Sequence, residues 1–232
     1  GVSGGSFDPS AGTQTLTHTY TDLNGCTNSA QTTITVNPLP SVSTGTYGPV
    51  CVDAADIVLG GTPTGGTWSG TGVSGGSFDP SAGTQTLTYS YTDLNGCTNS
   101  AQTTITVNPL PSVSTGTYGP VCIDAADIVL GGTPSGGIWS GVGVSGGSFD
   151  PSAGTQIVTY SYTDVNGCTN SASTTITVNP LPSVNCPSSF SVLITDPSFT
   201  LVGGLPAMGT YSGTGVSGGM FDPAAAGLGT HT

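Results

Sequence analysis

The chain has 232 residues, no Lys or Arg, and twelve acidic residues that are all Asp, for a formal net charge of −12. Such a polyanion repels nucleic acid and anionic membrane surfaces, so both are poor partners, and neither nucleic-acid binding nor membrane insertion is expected. No salt bridge to Lys or Arg can form, no trypsin-type cleavage site exists, and stability must come from apolar burial, backbone ladders and covalent links.

The first stretch, 1–37, opens on GVSGG and a Phe7-Asp8-Pro9 turn, then runs into TDLNGCTNSAQTTITVNPLPSV from Thr21. Asn37-Pro38-Leu39-Pro40 follows, where proline fixes φ and pushes the preceding residue into extended geometry, so a short, stiff joint is expected. Beyond the joint come Cys51 and then Ile57-Val58-Leu59 before a Gly pair, which reads as a short strand. Trp68 in GGTWSG marks another strand with a large inward ring, and Phe78-Asp79-Pro80 makes the next turn. In Thr86–Thr92, Leu87, Tyr89 and Tyr91 alternate with hydroxyl residues, the period of a half-buried strand. The turn Asp93-Leu94-Asn95-Gly96 and a second strand, Ala101 to Val107, complete a hairpin, with Asn-Gly expected to supply the positive φ angles.

The whole pattern then returns. GVSGG stands at Gly1, Gly72 and Gly143, 71 residues apart, and once more at Gly215, one residue late. The NPLP joints recur at Pro109 and Pro111 and at Pro180 and Pro182, dividing the chain into 1–37, 38–108, 109–179 and 180–232. A period of this size means one small unit strung in tandem. Each unit reads as an all-β, immunoglobulin-like β-sandwich, and the tandem array as an elongated rod or filament. The first and last stretches read as part-units, so the sequence is expected to sample a longer array.

The cysteines repeat with the unit, which favours an oxidising compartment. Pairing within a unit, Cys51 with Cys97 and Cys122 with Cys168, is the favoured arrangement, each bond adding about 4 kcal/mol in the chain-entropy model. The rival joins neighbours: Cys26 to Cys51, Cys97 to Cys122 and Cys168 to Cys186. In the last unit Cys186 comes seven residues early and Leu193 takes the vacated phase.

Catalytic constellations are missing. His18 and His231 are the sole imidazoles, and His18 takes the phase of Tyr89 and Tyr160, so a Ser-His-Asp set cannot repeat with the units. No catalytic or cofactor-binding residue is assigned. The Asp-x-Asn-Gly turns lack the alternating carboxylates and distal Glu of a calcium loop. Asp53 and Asp56, repeated as Asp124 and Asp127, remain a weak candidate for calcium at the joints. The Thr-x-Thr runs, such as Thr86 with Thr88, are read as the solvent face of an ordinary strand rather than a water-ordering array. With no Lys to deter it, pairing between sheet edges of neighbouring copies is physically open.

The phrases YTDLNGCTNSAQTTITVNPLP and GGTWSGTGVSGGSFDPSAGTQTLTYSYTD resemble the repeat modules of very large cell-surface proteins of Bacteroidota, among them gliding-motility adhesins. The resemblance spans every unit. It implies an immunoglobulin-like fold, type IX export and an extracellular, cell-surface location, and it carries over no catalytic or ligand-binding residue. The expected role is therefore a structural or adhesive segment of a surface filament giving reach, attachment or gliding, with other copies of the repeat as partners and surface polysaccharide as a further one. An array of carbohydrate-binding modules and a passive spacer in a secreted enzyme are the alternatives.

Overall fold

A computed structural model describes residues 2–231. The protein is all-β, with three short 3-10 turns and one four-residue helix as the sole helical pieces among the described residues. It divides into two compact units. The first holds the residues up to Ser114 with Gly132–Ile138 and Tyr160–Ala172, and the second holds Thr115–Gly131, Trp139–Thr159 and the residues from Ser173 on.

In the first unit, stretch 38–108 builds a small sandwich. One sheet orders Val73–Ser74, Ser77–Phe78 and Ile57–Val58, and the other orders Thr98–Ile105, Gln85–Thr92 and Thr67–Ser69. Most strands are two or three residues long because Gly and Pro punctuate them, while the hairpin strands run eight residues each. Alternation along Gln85–Thr92 sends Leu87 and Tyr89 inward, where they are 0 % and 3 % exposed. Leu59, Phe78, Leu87 and Ile105 form the core, with Ile57, Trp68, Val73 and Val107 packed against it. Burying these side chains is the main stabilising term, at about 1.5–3 kcal/mol for each large apolar residue.

The hairpin turn differs from the sequence expectation. Gly96 alone has positive φ, at 81°, while Asn95 stays in ordinary backbone space. Gly96 N–H donates to Asp93 O (3.1 Å) and Asp93 N–H to Cys97 O (3.0 Å), so Asp93 to Cys97 form a longer loop with a glycine bulge. The Asp93 carboxylate explains the choice: its Oδ1 accepts from the N–H groups of Asn95 and Cys97, both at 2.9 Å. A second departure lies at the end of the hairpin. Its last strand stops at Ile105, and Val107–Asn108 pairs in parallel with Val50–Cys51, Val107 opposite Val50 and Asn108 opposite Cys51.

The N-terminal hairpin, Gln14–Thr21 against Thr27–Ile34, has the same register as Gln85–Thr92 against Thr98–Ile105. Its inward positions are nevertheless open: Tyr20 is 65 % exposed, and His18 is exposed as well.

In the second unit, Leu130, Phe149, Val158 and Ile176 make an equivalent core, with Tyr118 and Trp139 packed beside it at 6.2 Å between ring centres. Val121–Cys122 runs parallel to Val178–Asn179, with Cys122 opposite Asn179. Further on, Phe199–Thr200, Met220–Phe221 and Val216–Ser217 form a sheet of the same pattern as the 57–58, 77–78 and 73–74 sheet. Asp222 caps the short helix Pro223–Ala226 as Asp79 caps Pro80–Ala82.

Candidate functional site

The chemistry of this chain is concentrated in one covalent link. Cys51 and Cys168 form a disulfide with Cα atoms 5.6 Å apart, across a sequence separation of 117 residues. This corrects the pairing expected from spacing: Cys51 does not join Cys97, Cys168 does not join Cys122, and the neighbour pairing fails too. Cys26, Cys97, Cys122 and Cys186 are free thiols.

Strand direction supplies the physical reason. The parallel pair sets Cys51 beside Asn108, at the end of its own sandwich. Cys97 sits at the hairpin loop, the other end of an eight-residue strand, which at about 3.4 Å per residue is roughly 27 Å long. No disulfide bridges such a gap. Cys168 reaches Cys51 because its own loop folds back toward the 108–111 joint. Asp164 Oδ1 accepts from the N–H of Cys168 (2.9 Å), which orients the loop, and Asn170 Nδ2 donates to Pro111 O (2.9 Å), which anchors it. Cys168 is fully buried.

The same contacts recur one repeat earlier. Asn99 Nδ2 donates to Pro40 O (2.9 Å), and Cys97 Sγ lies 4.0 Å from Asn37 O. The proline segments thus hold the hairpin loops through the carbonyls of Pro40 and Pro111. Pro38, Pro109, Pro180 and Pro182 lie outside regular structure and are exposed. The signal that sequence reading missed is the Asn two residues past each of Cys26, Cys97 and Cys168, at Asn28, Asn99 and Asn170.

A second candidate is the aromatic stack. Tyr47, Trp68 and Tyr89 follow one another with ring centres 6.3 and 5.2 Å apart. Tyr89 Oη donates to Pro63 O and accepts from Gly66 N–H. Gly61 and Gly66 lie so close that an added Cβ would run into the Tyr89 ring. A depression of about 460 Å³ borders this stack, lined by Gly61, Gly66, Trp68 and Tyr89 among others. The rings face the interior and pack on the core; they do not form an exposed platform on which a sugar would stack.

The acidic residues stay apart. Among the described residues, no three His, Cys, Asp or Glu side chains come together as a metal-holding group. Asp53, Asp56, Asp124 and Asp127 are exposed. Asp79 and Asp150 titrate below the usual carboxylate range, because the hydroxyls of Ser81 and Ser152 donate to them, followed by the N–H groups of the same serines. In Asp8 the Ser10 N–H leads and its hydroxyl follows. On the outer face of the hairpin, Thr86 and Thr104 bond each other across the strands (2.9 Å), so their hydroxyls are partly satisfied within the sheet. No helix among the described residues is long and apolar enough to cross a membrane.

Fold and link together define a chain of small all-β modules with a covalent staple between repeats. No family model matches the chain, and no curated protein matches it. Among solved structures, it is similar to one described as a Ca2+-stabilized adhesin that helps an Antarctic bacterium reach out and bind ice. The identity is 16 % and the TM-score 0.35, over 85 % of this chain and 67 % of that one. A likeness this loose transfers neither a calcium site nor a ligand.

Proposed function

We propose that this chain is a structural segment of an extracellular surface filament, in which repeated sandwiches provide reach for attachment or gliding. The observation that carries the reading is the bond between Cys51 and Cys168, which ties stretch 38–108 to the following repeat. A staple between successive copies stiffens an array against bending and fraying, which an enzyme or an isolated binding domain does not require. A disulfide of this kind also persists in oxidising surroundings and is lost in reducing ones. The repeats at 38–108 and 109–179 act as equivalent units, with 1–37 and 180–232 contributing part-units. The resemblance to Bacteroidota surface repeats supports type IX export and a place at the cell surface.

The inward packing of Trp68 and Tyr89 counts against an array of sugar-binding modules, and surface polysaccharide is a partner only through the strand surfaces. The decisive experiment is immunogold electron microscopy on the native cells. Labelled strings or filaments extending from the surface are expected. Label confined to the cell interior would falsify the reading.

A further inference from the structure

The hairpin loops all carry the same reactive dipeptide. Asn24-Gly25, Asn95-Gly96 and Asn166-Gly167 stand exposed in Asp-x-Asn-Gly-Cys loops. Asparagine before glycine is open to self-modification, because glycine has no side chain to keep its own nitrogen away from the neighbouring side-chain carbonyl. The loops cannot give up the glycine. Gly96 and Gly167 hold φ at 81° and 82°, where a residue with a side chain is strained.

In each loop the Asp two residues before the Asn holds the groups that such a reaction needs. Gly96 N–H donates to Asp93 O and Gly167 N–H to Asp164 O, each at 3.1 Å, so the proton on the attacking nitrogen is already engaged. The Asp carboxylate, itself half-buried, fixes the peptide units on either side of the glycine. Asp93 Oδ1 accepts from the N–H groups of Asn95 and Cys97, and Asp164 Oδ1 from those of Asn166 and Cys168, all at 2.9 Å. Loop 22–26 repeats the scheme, with Asn24 N–H at 2.9 Å and Cys26 N–H at 2.8 Å from Asp22 Oδ1. Asn166 adds a bond from Nδ2 to Asp164 Oδ2 at 3.4 Å, which ties the side-chain amide itself. For the glycine nitrogen to reach Cγ of the Asn, the planar peptide unit between them must rotate. Rotation breaks these bonds together, and bonds to a carboxylate are the strong class.

We propose that Asn24, Asn95 and Asn166 are latent deamidation sites, and that Asp22, Asp93 and Asp164 are positioning residues that keep them unreacted while the loop is folded. When a loop opens, a solvent base takes the proton from the glycine nitrogen. That nitrogen attacks Cγ of the Asn, forming a C–N bond. The Cγ–Nδ2 bond breaks, and Nδ2 takes a proton from solvent and leaves as ammonia. Water then opens the succinimide ring at either carbonyl. The net change converts the Asn amide and water into a carboxylate and ammonium, and the chain continues through Asp or isoaspartate. The product places a new negative charge beside the Asp already in the loop. At Asn166 the isoaspartate form also lengthens the backbone two residues before Cys168. There Asp164 orients the Cys168 N–H, and the Cys168 side chain is buried in its bond to Cys51. Deamidation is thus an irreversible record of loop opening, written next to the staple.

The test ages the full oxidised chain in warm, mildly alkaline buffer and follows mass gain and isoaspartate content in peptides cut after aromatic residues. Segments 21–47 and 92–118 have the same sequence, so the chain carries Asn24→Gln to make Asn95 and Asn166 separately readable. In the folded chain, Asn95 and Asn166 should each react about tenfold or more slowly than in the same chain unfolded in urea, the factor that one hydrogen bond to a carboxylate is worth. Asp164→Ala should bring Asn166 to its unfolded rate while Asn95 stays slow, which also reports that the variant has kept its fold. Asp164→Asn keeps an acceptor oxygen and should leave Asn166 slow. Equal rates in the folded and unfolded chain overturn the proposal. So does an Asn166 that stays slow in Asp164→Ala, or one that reacts in Asp164→Asn as fast as in urea. None of these results touches the surface location tested above, so the two readings fail separately.

Discussion

Residues 14–34 and 85–105 are nearly the same sequence with the same hairpin register, yet one is open and the other closed. Leu87 is 0 % exposed, whereas Leu16 is half-exposed. Local sequence therefore makes the hairpin, through alternation and the Asp-capped loop, but burial requires the Trp68 and Phe78 half of a sandwich. An isolated two-stranded hairpin is at best marginal in water. The free energy of the module lies in the contact between its halves, not in either half.

This contrast is open to direct attack, and the largest effect falls on the closed copy. In dilute, reduced protein, Leu87→Ala should lower unfolding stability by about 2–5 kcal/mol in a denaturant melt. Leu16→Ala should stay within about 0.5 kcal/mol. Equal losses would mean that the N-terminal hairpin is already covered in the monomer. Next comes the staple: Cys51→Ser should cost about 2–4 kcal/mol under oxidising conditions and nothing under reductant. Cys97→Ser in the same chain should be silent in both.

A smaller effect separates two adjacent kinds of glycine. Gly66→Ala forces a Cβ against the Tyr89 ring, and a loss of about 1–3 kcal/mol is expected by thermal melting. Gly60→Ala meets open space and should change little. The smallest effect is electrostatic. Asp79 has a folded pKa below its unfolded value of about 4, so its contribution is present above that pH and fades as pH falls through the lowered value. Asp79→Asn should flatten the acid limb of the melting curve. Asp8→Asn should act in the same direction, because the Ser10 N–H and hydroxyl hold Asp8 below its usual range as well.

Much of the fold was legible. Alternation in Thr86–Thr92 located the central strand, the inward phase of Trp68 and Tyr89 placed the core, and the repeat located equivalent parts. The Asn-Gly reading erred because it weighed the turn dipeptide and overlooked the Asp93 carboxylate, which holds a longer loop. The cysteine pairing was not legible. It depends on the direction in which Val50–Cys51 runs beside Val107–Asn108, and two-residue strands leave no periodic trace by which direction could be read. Asn170 and Pro111 did leave a trace, as an Asn at fixed distance from each loop cysteine, but its meaning needs the fold.

The Cys51–Cys168 bond has a mechanical consequence. When the chain is pulled from its ends, tension entering at Cys51 passes across the sulfur atoms to Cys168. The 117 residues of separation between them stay slack. Fully extended, that segment is on the order of 400 Å of chain, released once the bond is reduced. A pulling trace with and without reductant should therefore differ by about this contour length per staple. The redox state of two sulfur atoms thus sets how far the chain can be drawn out under load.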